Sequence, residues 1–170
     1  MRKNNQKILK NLIENIRREI NLLEELNLSI EPLIKKVEVA DKEEKIFYNR
    51  AGGSILHDFY TGIEKIFCDI ANKIDKGLPK TEDWHIRLLK SMAEIKKNRP
   101  AVISLELMEK LKEYLGFRHL FRNIYGIQLD WDKLKILLLK IQEDIWPKLK
   151  GQLELFIKIM TEKNKDGGGR

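Results

Sequence analysis

Apolar residues recur every third or fourth position along most of the chain, the spacing that lines one face of an α-helix. Ile8, Leu12, Ile16, Ile20 and Leu23 predict an amphipathic helix over about residues 4–26. The stretch from Asn27 to Pro32 bends or ends it, because proline disfavours the helical region in the residue before it. A short helix through Leu33 and Val37 follows. Asp41 with Glu44 three positions on reads as a helix-starting capping arrangement. Beyond it, Ala51, Ile55, Phe59, Ile63, Ile66, Ile70 and Ile74 form a long apolar stripe. Gly52, Gly53 and Gly62 lie within that helix, where each costs about 1 kcal/mol relative to alanine; close approach of another backbone is the expected reason.

The segment Lys76-Gly77-Leu78-Pro79 ends this helix. Thr81 is placed to cap a third carrying Trp84, Leu88, Leu89 and Met92, which stops before Asn98-Arg99-Pro100. Ser104 caps the next, from Leu105 to about Tyr125, with Gly126 as its end. Asp130 starts another through Leu134, Leu137, Leu138, Ile141 and Ile145. Pro147 kinks or restarts it, and Leu149, Leu153, Phe156, Ile157 and Met160 complete the pattern. Only Pro100 to Ile103 has any strand character, and no internal repeat is present. These elements predict an all-α fold, an up-and-down bundle of five to six helices. Residues 1–162 read as one helical domain and 163–170, rich in glycine, as a flexible tail.

Composition sharpens the picture. No uncharged apolar stretch approaches the roughly 20 residues of a membrane span, and the N-terminus lacks the apolar core of an export signal. The single cysteine, Cys68, cannot pair within the chain and suits a reducing compartment. A cytoplasmic protein without a membrane partner is expected. Lys and Arg number 33 against 26 Asp and Glu, a net charge of +7, which favours acidic partners such as RNA, DNA or an acidic protein.

The pattern breaks in one place. Leu107, Leu111, Tyr114 and Leu115 form an ordinary inner stripe, and the same face then presents Arg118, Arg122 and Tyr125. At about 100° per residue, Arg118 and Arg122 differ by about 40° and Arg118 and Tyr125 by about 20°. Buried arginine is costly unless paired. Either these arginines pair with carboxylates such as Glu64 or Asp130, or they form an anion site in which guanidiniums hold a phosphate through forked hydrogen bonds. Phe117 and Phe121, on an adjacent face, are expected to pack the core rather than stack on bases.

The segment Phe117-Arg118-His119-Leu120-Phe121-Arg122-Asn123-Ile124-Tyr125-Gly126 resembles the signature of HEPN domains, in particular of HepT-like ribonuclease toxins. That signature is an arginine, often followed by a polar residue, then a histidine four to six residues later, often with a tyrosine two further on. Arg118 matches the arginine, His119 the polar follower and Tyr125 the tyrosine, while Asn123 stands where the histidine belongs. The segments Leu56 to Phe67 and Trp84 to Leu89 resemble the accompanying helices, so the likeness covers roughly residues 45–160. It implies a homodimeric helical bundle whose two motifs meet in a cleft that cuts RNA, tRNA among the candidates, without a metal or other cofactor. It also implies an antitoxin partner, an MNT-type nucleotidyltransferase that adds AMP to the motif tyrosine. Carried over residue by residue, Arg118 and Arg122 hold phosphate, Arg118, His119 and Asn123 are the catalytic candidates, and Tyr125 is the AMP acceptor.

The departure at Asn123 bears on chemistry. Metal-free cleavage needs a base for the 2′-hydroxyl proton; histidine can serve near neutral pH and an asparagine amide cannot. Asn123 can only orient the hydroxyl or donate to a phosphate oxygen, and on an ideal helix it points about 140° from Arg118. A non-catalytic HEPN module that binds a nucleotidyltransferase or a nucleotide is therefore the alternative.

His57, Asp58, Thr61 and Glu64 add polar groups to the second long helix. His57, Thr61 and Glu64 share a face and read as a supporting hydrogen-bonded network, as part of the cleft, or as part of a metal site. For the last, His57, His85 and His119 are the candidate ligands, but no Glu-x-x-His or His-Glu-x-x-His spacing accompanies them; no metal site is assigned. Cys68 reads as a buried, inert thiol. Trp84, Trp131 and Trp146 read as core or interface anchors.

Overall fold

A computed structural model describes residues 2–75, 77–78, 80–123 and 129–166. Helix α1 (Arg2–Leu28) ends at Ser29, whose hydroxyl donates to the Leu26 carbonyl at 2.6 Å. Helix α2 (Ile30–Val39) starts at once, because Pro32 falls in its first turn, where a missing N–H leaves no intrahelical bond unmade. The Asp41 capping box is present: its carboxylate accepts from the N–H groups of Glu43 and Glu44, and Glu44 reaches back to the Asp41 N–H.

Helix α3 (Lys42–Lys73) is the axis of the molecule and packs against α1, α2, α4, α5 and α6. Gly77 adopts φ +133° and donates its N–H to the Ala71 carbonyl, turning the chain away after α3. Lys76 and Pro79 lie outside the described residues.

Helix α4 (Trp84–Met92) begins later than a Thr81 cap predicts, since Thr81 accepts the Trp84 N–H through its backbone carbonyl and the helix starts after Asp83. Helix α5 (Leu105–Phe121) carries the expected Ser104 cap, with Oγ accepting from the Leu107 N–H at 3.2 Å. It stops at Phe121, short of Tyr125. Asp130 caps α6 (Trp131–Lys140) by accepting the Asp132 N–H. A π-helical turn, Ile141–Ile145, then leads into α7 (Trp146–Asp166). Pro147 explains that turn: it has no N–H for an α-helical bond, and the wider π-turn accommodates the loss just before it. The break at Ser29 and the π-turn before Pro147 separate the helices where the sequence places a bend and a restart, giving seven α-helices among the described residues against the five to six expected. Helix α7 continues to Asp166, beyond the expected start of the tail.

The predicted inner faces are buried, with Leu12, Ile16, Leu56, Phe59, Ile63, Leu107, Leu111 and Tyr114 at 1% exposure or less. Ile8 and Ala51 instead lie on the surface, and Ile55, Ile74 and Leu137 are half-buried against the core. The glycines of α3 meet side chains rather than a backbone. A Cβ on Gly52 would lie 3.2 Å from Trp131, one on Gly53 only 2.5 Å from Phe121, and one on Gly62 2.9 Å from Leu23. Pro100 to Ile103 forms no strand; an isolated antiparallel bridge instead joins Lys96 and Arg99.

That bridge presents a group the sequence pattern does not reveal. Arg99 is fully buried, and its guanidinium forks onto Asp75 with bonds of 2.9 and 2.7 Å. Its remaining donors reach the carbonyls of Ser91, Glu94 and Pro100. A cation thus sits on the negative end of α4 and ties it to the segment after α3. Among the described residues, no helix is long and apolar enough to cross a membrane.

Candidate functional site

The site forms where α3, α4 and α5 converge. Glu64 lies one turn after Tyr60 and next to Ile63, so the stripe that builds the core carries its carboxylate inward, to 7% exposure. His85 precedes Leu88 and Leu89 by three and four positions, which places it on the inward face at the start of α4. Arg118 continues the inner stripe of α5 beyond Leu111 and Leu115.

These three side chains meet. Arg118 Nη2 lies 3.0 Å from Glu64 Oε1 and Nη1 3.4 Å from Oε2. His85 Nδ1 lies 2.5 Å from Glu64 Oε2. A carboxylate accepts, so the proton of that bond belongs to Nδ1, and the 3.4 Å approach of Arg118 Nη1 to His85 Nδ1 is a contact between two donors. Glu64 therefore bridges a guanidinium and an imidazole, which is what allows a carboxylate to stay buried. The Arg118 side chain keeps 11% exposure, and its buried Nε has no hydrogen-bond partner.

Aromatic rings enclose His85. Trp84 stacks on it at 3.6 Å between ring centroids, and His119 approaches edge-on at 5.3 Å. Burial first, then the neighbouring His85 and the guanidiniums of Arg118 and Arg122, hold His119 below the ordinary histidine range, so the neutral ring is favoured. On the other side of Glu64, burial and the nearby carboxylate push the Tyr60 phenol above its ordinary value. They also push the Cys68 thiol up to about 11, the character of an inert thiol.

The other predicted residues occupy distinct places. Arg122 is exposed at the end of α5 and makes no salt bridge among the described residues. Asn123 is exposed, and its amide donates to the His119 carbonyl at 3.2 Å, satisfying an acceptor at the end of the helix. Phe117 and Phe121 pack against the core, stacked on each other at 5.8 Å. His57 and Asp58 form their own pair at 3.0 Å, with the His57 ring 5.5 Å from Phe121. Thr61 turns its hydroxyl back to the His57 carbonyl. The supporting residues thus divide, Glu64 inside the cluster and His57 with Asp58 on the flank. Tyr125 and Gly126 lie outside the described residues. Among those described, no three His, Cys, Asp or Glu side chains converge as metal ligands.

The pairing of Arg118 with Glu64, one of the two readings open from the sequence, is the observed one. His85 is the member that site selection on α5 alone passes over. Its signal is present in the sequence, one turn ahead of the buried pair Leu88 and Leu89. Chemically, the cluster offers one guanidinium edge, one imidazole oriented by a carboxylate, a second imidazole beside it, and an exposed arginine one turn further along.

No curated protein and no solved structure matches the chain at a significant level. The family model described as HepT-like protein matches residues 51–160, more than half of the sequence, and that span contains α4, α5 and α6 with most of α3 and α7. On this match, over the same helices that assemble the Arg118, Glu64 and His85 cluster, the chain belongs to the HepT-like protein family.

Proposed function

We propose that this protein is a HepT-like endoribonuclease that cuts RNA, with tRNA as a candidate target, at a cleft between two copies of the chain. Its activity needs no metal, and an MNT-type nucleotidyltransferase is its antitoxin partner. Tyr125 is the proposed acceptor of AMP from that partner. The observation that carries the reading is the gathering of Arg118, His119 and Arg122 at one end of α5. There, guanidiniums suited to phosphate stand beside an imidazole favoured in its neutral form. Arg122, exposed, makes the outer phosphate contact; Arg118 offers the guanidinium edge that Glu64 leaves open.

The non-catalytic binding module remains the second reading. It is favoured by Asn123, whose amide serves the end of its own helix. Incubation of purified protein with total tRNA and a synthetic RNA in EDTA, beside Arg118→Ala and Arg122→Ala, separates the two. Cleavage that survives EDTA and is lost with Arg118→Ala supports the ribonuclease. No cleavage by dimeric protein whose mass excludes AMP supports the module that binds a nucleotidyltransferase or a nucleotide. Arg122→Ala is expected to weaken RNA binding and to flatten its salt dependence by about one phosphate contact. RNA affinity unchanged in both variants sinks the assignment of Arg118 and Arg122 to RNA phosphate.

A further inference from the structure

The helix that carries the motif lacks a proton acceptor at Asn123, yet the geometry places one next to Arg118 on a different helix. His85 gives its Nδ1 proton to Glu64 at 2.5 Å, which fixes the tautomer and leaves the lone pair of Nε2 unprotonated. Among the described residues no group donates to Nε2, and the side chain keeps 16% exposure, enough for a ligand atom to reach. The ring is held by Trp84 on one face and by His119 at its edge. Glu64 is itself fixed by Arg118. A carboxylate that orients an imidazole through Nδ1, so that Nε2 can take a proton, is the arrangement by which hydrolases prepare a general base.

We propose that His85 is the general base of this site, with Glu64 as its positioning residue, and that the dyad on α4 and α3 supplies the acceptor that Asn123 cannot. This rests on the ribonuclease reading above. The 2′-oxygen of RNA attacks the adjacent phosphorus; the O2′–P bond forms as the P–O5′ bond breaks. The 2′-hydroxyl proton passes to Nε2 of His85. The departing O5′ takes a proton from water, leaving a 2′,3′-cyclic phosphate on one fragment and a 5′-hydroxyl on the other. Solvent then removes the proton from His85, which balances the one it gave to O5′.

The charged and titratable groups around His85 come from α3 and α5. Glu64 faces His85 from α3, with Tyr60 and Cys68 behind that carboxylate, while Arg118 and His119 face it from α5 and Arg122 lies beyond, near His119.

The test compares wild type with His85→Asn and His85→Ala on an RNA oligonucleotide in EDTA, across pH 5–9, with affinity measured on the 2′-deoxy analogue. The asparagine amide reproduces the Nδ1 donor to Glu64 but has nothing at the Nε2 position. His85→Asn is therefore expected to fold and bind RNA as wild type does. It should cut at least about 100-fold more slowly and lose the wild-type dependence of rate on pH. Free imidazole should restore part of the rate of His85→Ala. Proton–nitrogen spectra of the three imidazoles give a readout independent of activity, and His85 should carry its proton on Nδ1. A proton found on Nε2, or wild-type rate and pH profile in His85→Asn, overturns the base while leaving the ribonuclease intact. Wild-type protein that cuts no RNA overturns the ribonuclease reading, and the base falls with it.

Discussion

Removing the carboxylate of Asp75 should destabilise the whole molecule, although Asp75 lies at neither the core nor the site. Arg99 has no exposed surface, and Asp75 keeps only 5%. In Asp75→Ala the guanidinium retains three backbone carbonyls but loses both bonds of its fork. Breaking one side of a buried ion pair costs about 3–5 kcal/mol, because the remaining charge stays desolvated without its counter-charge. Lys96, 3.0 Å from the same carboxylate, loses its partner too, at smaller cost because it is a third exposed. Against the roughly 5–15 kcal/mol that holds a typical domain together, this is a large fraction. At roughly 2–4 °C per kcal/mol for a chain of this size, the melting temperature should fall by roughly 6–20 °C. Urea unfolding followed by circular dichroism is the assay, with the slope required to match wild type. Arg99→Met in the same background should recover part of the loss, since the orphaned charge goes with it. A shift below about 1 kcal/mol, or strictly additive single and double variants, would refute the reasoning. The clamp would then be an ornament of a segment held by other contacts.

Gly53→Ala gains helix propensity but puts a methyl group 2.5 Å from Phe121. A net loss of about 1–2 kcal/mol is expected in thermal melts, and greater stability than wild type would show that Phe121 moves freely. Glu24 accepts from Lys150 at 2.9 Å and from the Trp146 indole at 2.7 Å, which holds its carboxyl below the ordinary 4.5. A lowered folded-state value means that stability is fully present above the unfolded value and is lost as pH falls through the folded one. The melting temperature gap between wild type and Glu24→Gln should therefore be constant near pH 6 and close below pH 4.5; a gap that widens with acid contradicts the pairing. Cys68, with its thiol pushed up to about 11, should react with a disulfide reagent at pH 7.5 far more slowly in native protein than in urea. Equal rates would place it on the surface.

Much of the fold is legible in the sequence because its signals are local. Helix periodicity, the Asp41 capping box and the Ser104 cap depend on residues within one or two turns of each other, and the structure contains each of them. The boundaries that differ do so for equally local reasons: Pro32 falls within the first turn of α2 rather than before it, and α4 starts after Asp83 rather than at a Thr81 cap, while the restart expected at Pro147 takes the form of a π-turn. The inward direction of Arg118 is legible as well, since a stripe keeps its face whatever residues occupy it.

Tertiary structure alone decided which partner each buried charge has. Sequence leaves Arg118 a choice between carboxylates such as Glu64 and Asp130; the crossing of α3 and α5 selects Glu64, 54 positions away. It gives no hint that Arg99, written beside a proline in a polar turn, is fully buried, because that depends on Asp75 arriving from the far side of α3 and on carbonyls exposed at the end of α4. His85 joins the site for the same reason. Helical spacing fixes which way a side chain faces, but desolvation and charge pairing are settled only when separate helices pack and each buried ion must find its counter-charge within about 3 Å.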